Sequence, residues 1–369
     1  MNLIELHILQ SFPVTCLNRD DVGAPKTAIF GGCTRARVSS QCWKRAIRSY
    51  AKDKAPVFGG QRTRLILGQL EKLFAQAGNE QQSARALAIA TSEAISTLDN
   101  AEKGTVKTLV FFSPQELQAV ADAMLSAGIG DDIGVACNEN AEKNKREKAA
   151  KKVKDAAKKA VKALGNKVKD AADIAIFGRM VADDHTLTVE GACLFSHALS
   201  THTVSNEIDF FSAVDDVKPE DDAGAGHIGT LEFNSACYYR YVGLNLHLLE
   251  KDSHLKHFSD EERATVVKTF LEASIMAVPT ARKNSMFGFN PPVFVLGLRR
   301  EGQPLSLVNA FEKAVRIKSD SGYVEPSKEA LKNHWKSLKD TYSLKATEVC
   351  LPEKNLSDFI QDLMGDKHE

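Results

Sequence analysis

The chain lacks any uninterrupted apolar stretch approaching the roughly 18 residues that a membrane helix needs, and its first ten residues, MNLIELHILQ, contain no basic n-region. On those absences the expectation is a cytoplasmic protein. The seven cysteines (Cys16, Cys33, Cys42, Cys137, Cys193, Cys237, Cys350) are scattered, odd in number and never spaced C-x-x-C. A zinc ribbon or dithiol redox centre is thereby excluded, and reduced thiols are expected. Net charge is absent too, with 48 basic against 48 acidic side chains, so the surface as a whole does not attract polyanions. There is no G-x-S-x-G elbow, no Walker loop and no G-x-G-x-x-G. Nothing specifies a reaction, and neither a catalytic residue, nor a metal, nor a cofactor is expected.

What is present is an ordinary globular composition, 43% hydrophobic and 26% charged over 369 residues, enough for one elaborated domain or two to three lobes. The charge is unevenly spread. Between Arg35 and Arg48 there are five bases and no acid; residues 139 to 170 carry twelve bases against five acids; residues 205 to 232 carry eight acids against one lysine. Opposite patches on one chain suit an assembly in which a subunit meets its own copy.

The pattern of residues 2 to 10 predicts a mostly buried first strand. Residues 11 to 37 contain Pro13, Gly23, Pro25 and the pair Gly31-Gly32 and are expected to be a loop. A helix is expected to start at Ser39-Ser40. Residues 60 to 170 read as almost entirely helical, including a capping box at Ser113-Pro114-Gln115-Glu116 and a lysine-coated amphipathic helix over 143 to 169. From Asp173 onward, β-branched and aromatic runs (DIAIFG, THTVSNEIDFFSAV, GTLEFNSACYYRYVGLNL, PPVFVLGL) predict strands, with helices at about 191 to 199, 259 to 275, 306 to 316 and 326 to 345. The class is therefore α+β, with the first strand joining the later sheet and the helical block inserted. The acidic, glycine-rich stretch Asp215 to Gly226 is expected to be a mobile hairpin tip.

The candidate nucleic-acid interface is the stretch from Asn18 to Arg48. Arg19, Lys26, Arg35 and Arg37 sit in the glycine-bearing loop, and Gln41, Lys44, Arg45 and Arg48 share one helical face. The hydroxyls of Ser39 and Ser40 and the amides of the helix start suit a phosphate, and Gly31-Gly32 permits close backbone approach. Two other features have competing readings. The apolar residues of the hairpin (Val204, Ile208, Phe210, Phe211 and Val214, then Ile228, Leu231 and Phe233) either pack on their own core or wedge between bases. The lysine helix is either a solvated face or an accessory nucleic-acid contact. His197 and His202, spaced H-x4-H, lack the further ligand that a metal site needs, but each is a candidate general base for ribonuclease chemistry.

Residues CLNRDD (16 to 21), AIFGG (28 to 32), R-x-R-V-S-S-Q (35 to 41), KRA (44 to 46), FGRM (177 to 180), THTVSNEIDFFSAVDD (201 to 216), HIGTLEF (227 to 233), YYRYVGLNL (238 to 246) and NAFEKAV (309 to 315) resemble the CasC family, the multi-copy backbone subunit of the type I-E CRISPR Cascade complex. The resemblance implies an RRM/ferredoxin-like palm with an inserted helical fingers domain and a β-hairpin thumb. In this chain that corresponds to palm at 1–58, fingers at 59–170, palm at 171–202, thumb at 203–236, and palm with C-terminal helices at 237–369. It implies a non-enzymatic role in antiviral defence, with guide RNA, the target DNA strand, further copies of the chain in a head-to-tail filament and other Cascade subunits as partners. By motif, Arg19, Lys26, Ser39, Gln41, Lys44, Arg45, Arg48 and Met180 are implied RNA contacts, and Phe211, Ser212, Val214 and Ile228 an implied thumb wedge. Cys33 and the lysine helix stand outside the family motifs. The alternative is a guide-processing endoribonuclease of related fold.

Overall fold

The computed structural model describes residues 1–100, 102–165, 170–181, 185–213, 227–317 and 322–365. These form two compact units: Met1–Lys54 with Cys193–His247 and Ala264–Glu369, and Ala55–Ala192 with Leu248–Arg263.

The first unit is built on an antiparallel sheet. Strand β1 (Asn2–Thr15) lies between β11 (His227–Asn245) and β12 (Phe294–Glu301), and β13 (Thr347–Leu351) extends the sheet beyond β12. On the other side β11 pairs with β9 (Ala198–Ser200) and β8 (Cys193–Phe195), and β9 leads to the hairpin of β2 (Thr27–Phe30) and β3 (Cys33–Val38). Because both sheet faces are covered, β1 reads as a nearly continuous apolar run. On one face Leu9, Tyr239, Phe294 and Leu296 pack with Phe311, Leu331 and Trp335, the last two on helix α10 (Val324–Tyr342). On the other, Phe12 meets Trp43 and Tyr238, and Phe195 meets Phe270 edge-on. Trp43 lies on helix α1 (Ser40–Lys54) and Phe270 on α9 (Asp260–Met276). One polar cluster inside the sheet is well bonded: buried Glu5 accepts from Tyr241 Oη at 2.6 Å, from the Leu305 N–H at 2.8 Å and from Arg300.

The second unit is helical: α2 (Ile66–Gln76), α3 (Gln81–Ile95), α4 (Pro114–Leu125), α5 (Gly130–Cys137) and α6 (Lys143–Leu164) share one core. Two short ladders, β4 (Gln61–Thr63) with β7 (Val110–Phe112) and β5 (Leu98–Asn100) with β6 (Thr105–Val106), interrupt the helices. The capping box forms as expected, Ser113 Oγ accepting from the Glu116 N–H while Glu116 accepts from the Ser113 N–H. The same Glu116 carboxylate takes the Arg179 guanidinium at 2.8 Å, both fully buried. Helix α6 buries Ala149, Val153, Ala157, Ala160, Val161 and Leu164 and turns its lysines outward, two of them pairing with Asp132 and Glu93.

Several expectations are corrected. Residues 27 to 38 form a strand hairpin, not loop, because Gly31 (φ 59°) and Gly32 (φ 74°) supply the two left-handed positions of a tight turn. Residues 193 to 200 are strands β8 and β9, not helix, their register being fixed by pairing with β11. DIAIFG is not a strand but helix α7 (Ala172–Phe177), and the expected helix at 306 to 316 is a single 3-10 turn, Val308–Phe311. Residues 55–58 and 171–192, read as sheet-side, sit with the helices: Ala172 N–H donates to Val57 O at 2.9 Å and Gly60 N–H to Asp173 Oδ1 at 3.1 Å. The stretch Asp215 to Gly226 lies outside the described residues.

Candidate nucleic-acid interface

The loop before β2 is tightly folded. Asp20 Oδ1 accepts from the Val22 and Ala24 N–H groups, an Asx-type turn, and Arg19 pairs with Pro25 in a backbone bridge. Asn18 ties this loop to the start of α1, its carbonyl accepting from Lys26 N–H and its side chain from Ser39 N–H, both at 2.9 Å. Arg19 and Lys26 are thus held beside the first turn of α1. On that helix Gln41 and Arg45 are exposed, and Lys44 and Arg48 are half-buried. The Lys44 ammonium lies 5.3 Å from the Phe195 ring. Trp43, Ile47 and Ala51 are buried, which leaves Gln41 and Arg45 facing outward, with Lys44 and Arg48 between that side and the buried stripe. The structure therefore brings Arg19, Lys26, Gln41, Lys44, Arg45 and Arg48 onto one side of one unit.

Other expected members are placed differently. Arg35 is fully buried: its guanidinium donates to the carbonyls of Phe30, Ser200, Phe311 and Glu312 and to Cys33 Sγ, so it clamps the β2–β3 hairpin instead of facing an anion. Ser39 is also buried, its hydroxyl accepting the Cys42 N–H at 3.3 Å as a helix cap. The Ser40 N–H is taken by His197 Nδ1 at 3.1 Å, so two amide donors of the helix start are already used. The close approach expected at Gly31 is to protein: a Cβ there would stand 1.7 Å from the Glu312 carbonyl oxygen. Cys33 is half-buried beside this turn, and its thiol is held below the ordinary range by hydrogen bonds from Thr203 and Arg35.

Neither histidine is offered as a base in its neutral form. His202 is buried, stacked on Tyr323 at 3.5 Å, with Nε2 accepting from the Cys237 N–H and Nδ1 on the Thr203 carbonyl. With Nδ1 of His197 accepting from Ser40, Nε2 of that ring carries the proton. Burial pulls both below the ordinary histidine range. Among the described residues no group of three or more His, Cys, Asp or Glu could hold a metal ion, and no helix is long and apolar enough to cross a membrane.

The hairpin of β10 (Glu207–Ala213) with the first part of β11 divides the expected wedge. Ser212 pairs with Ile228, on the same face as Phe210 and Ile208, and Ile208, Phe210 and Ile228 are exposed. Phe211 points to the other face, where its ring covers Gly229 so closely that a Cβ there would lie 2.6 Å away. Val214 lies outside the described residues. Met180, in the second unit, is 81% exposed, next to the buried Arg179.

One feature of the first unit went unread in the sequence. A groove of about 710 Å³ runs along α1 from Cys42 to Asp53, faced by residues 276–289 and rimmed by Arg19 and Arg45. The triplet Phe287-Gly288-Phe289 between a basic segment and Pro291-Pro292 was the available signal.

A covered antiparallel sheet, a helical unit and a cationic side of α1 make this an α+β protein with a candidate anion-binding surface. The profile of the CT1975-like protein family, a Cas family, matches residues 4–363, and the chain belongs to that family. Among solved structures, a chain of a "CRISPR RNA-guided surveillance complex, pre-nicking" aligns at 26% identity and a TM-score of 0.75, over 97% of this chain and 95% of that one. A chain of a "CRISPR RNA-guided surveillance complex" aligns at 23% identity and a TM-score of 0.56, over 97% and 92%, and carries the likeness of fold alone. Among curated proteins none matches at a significant level.

Proposed function

We propose that this chain is the repeating backbone subunit of a type I-E CRISPR surveillance complex, of the CasC kind, that grips guide RNA by its phosphates and has no catalytic role. The observation that carries the proposal is the outward row Gln41, Lys44, Arg45 and Arg48 on α1, with Arg19 and Lys26 fixed beside its first turn. Such contacts are blind to sequence, so target reading falls to base pairing with the DNA strand. The sheet unit serves as an RRM/ferredoxin-like palm, the helical unit as fingers and the β10–β11 hairpin as a thumb. The exposed Ile208, Phe210 and Ile228 give that thumb an apolar face for the RNA or for the next copy. Head-to-tail repetition makes an open filament on the RNA, ended by other complex subunits, in the cytoplasm. The family membership and the 26%-identical surveillance-complex chain support this reading.

The rival, a guide-processing endoribonuclease, needs a histidine free to take a proton; the bonding of His197 and His202 speaks against it. Co-expression with a guide-encoding array, followed by native mass and nuclease protection, tests the proposal. Protected RNA bound by several copies of the chain is expected. Particles without RNA, or precursor RNA cleaved by the purified chain and spared by His197→Ala or His202→Ala, would overturn it.

A further inference from the structure

The groove along α1 continues the cationic row. Cys42, Arg45, Ala46, Ser49, Tyr50 and Asp53 follow at helical spacing, so Arg45 belongs both to the row that faces phosphate and to the wall of the groove. The facing wall is built, not draped. Gly288 is pressed on β1, since a Cβ there would stand 2.2 Å from Thr15 Cγ2. Two residues further on, Asn290 is tied to β1 by two hydrogen bonds: Gln10 Nε2 donates to Asn290 O at 2.6 Å, and Asn290 Nδ2 donates to Ser11 O at 3.4 Å. The turn before it is closed by the Ser285 and Met286 N–H groups on the Arg282 carbonyl, with Arg282 at φ 51°. This anchoring leaves Phe287 73% and Phe289 43% exposed on either side of the pinned glycine. Two aromatic rings held open to solvent beside two arginines have the composition of a single-strand platform, in which cations hold the backbone and rings take the bases.

We propose that this groove is a nucleobase site, in which a base of the strand held at Arg19 and Arg45 stacks on Phe287 and Phe289. The inference rests on the proposed RNA grip and adds to it a second kind of contact. A chain-like ligand with one negative charge per unit and an apolar face per unit matches a groove with cations at the rim and rings within. A protein segment would use the rings but would have no periodic anion for Arg19 and Arg45.

The test separates base from phosphate. The affinity of the purified chain for a single-stranded RNA oligonucleotide is compared with that for an abasic oligonucleotide of equal length and charge, across a salt series. Phe287→Ala with Phe289→Ala is expected to weaken RNA binding roughly 5- to 150-fold, to leave abasic binding unchanged and to leave the salt slope unchanged. Phe287→Trp, with Phe289 retained, enlarges the stacking area and is expected to bind RNA at least as well as the wild type, while unchanged abasic binding guards against a folding effect in the alanine pair. Equal losses on both ligands, or unchanged RNA affinity with smaller assembled particles, would overturn the proposal and assign the groove to backbone contact or to a protein neighbour. If the unaltered chain binds neither oligonucleotide, the RNA grip itself fails; if it binds both equally, only the base site does.

Discussion

Replacing Lys44 and Arg48 together by alanine tests the cationic row by its electrostatics. Each phosphate neutralised on a single strand contributes about 0.7 to the slope of log affinity against log salt. Removing two contacts should therefore flatten the slope by about 1.4, so a tenfold rise in salt shrinks the variant's deficit about 25-fold. The Lys44 ammonium lies 5.3 Å from the Phe195 ring, and both residues are half-buried beside the helix face that carries Trp43, Ile47 and Ala51. Urea unfolding of the variant therefore accompanies the titration, so that a loss of stability is separated from a change of slope. Fluorescence anisotropy titrations of a labelled single-stranded RNA from about 50 to 500 mM salt read the slope directly. A deficit that stays constant across that range would mean that the two side chains do not neutralise phosphate, and the functional reading of α1 would fail with it.

Two further outcomes follow from a buried ion pair and from a tight turn. Arg179→Met leaves Glu116 as an unpaired buried carboxylate, which should cost about 3–5 kcal/mol in urea unfolding at neutral pH. Burial already pushes the Glu116 carboxyl above the usual range, and without the guanidinium it rises further. A group raised in the folded state stabilises most when protonated, so the deficit relative to wild type should shrink toward pH 5, and a deficit that grew on acidification would refute the assignment. At the β2–β3 turn, Gly32→Ala meets nothing within 4 Å and should lose only the left-handed penalty of about 1–2 kcal/mol, while Gly31→Ala must also displace the Glu312 carbonyl. Equal losses in thermal unfolding would show that the turn is not seated on that backbone.

The parts of the fold legible in the sequence were those whose cues are local or periodic. The capping box at Ser113, the stripe of α6, the helix after Ser40 and the strand over residues 294 to 301 all declare themselves within one turn or one alternation. Misreadings fell where tertiary pairing overrides local preference. Residues 193 to 200 are strands because β11 offers them a partner more than 30 residues away. DIAIFG contains the isoleucines of a strand but winds into a helix whose Asp173 serves Gly60 and whose Gly178 meets the backbone at Gly191 with no room for a Cβ. Gly31-Gly32 was visible as a breaker, yet the same pair is a hairpin turn once strands flank it.

The same limit governs the site, because charge is countable in a sequence and burial is not. Five bases from Arg35 to Arg48 look alike on paper, but the structure sorts them by burial. On β3, Arg35 is buried, where four carbonyls and a thiol sulfur receive it, while Arg37, two residues on along the same strand, is half-buried and donates to the Thr27 carbonyl. On α1, spacing alone keeps Lys44, Arg45 and Arg48 off the face that carries Trp43. On the proposed reading, therefore, Arg35 serves the hairpin and the bases of α1 serve RNA. Arg35→Met should accordingly act through stability, lowering affinity at every salt concentration by the same factor, whereas changes on α1 should act through the slope. The distinction holds because the Arg35 guanidinium is wholly buried and presents no donor at the surface to meet a phosphate, and releasing it would break the clamp on the β2–β3 hairpin that holds Lys26 beside α1.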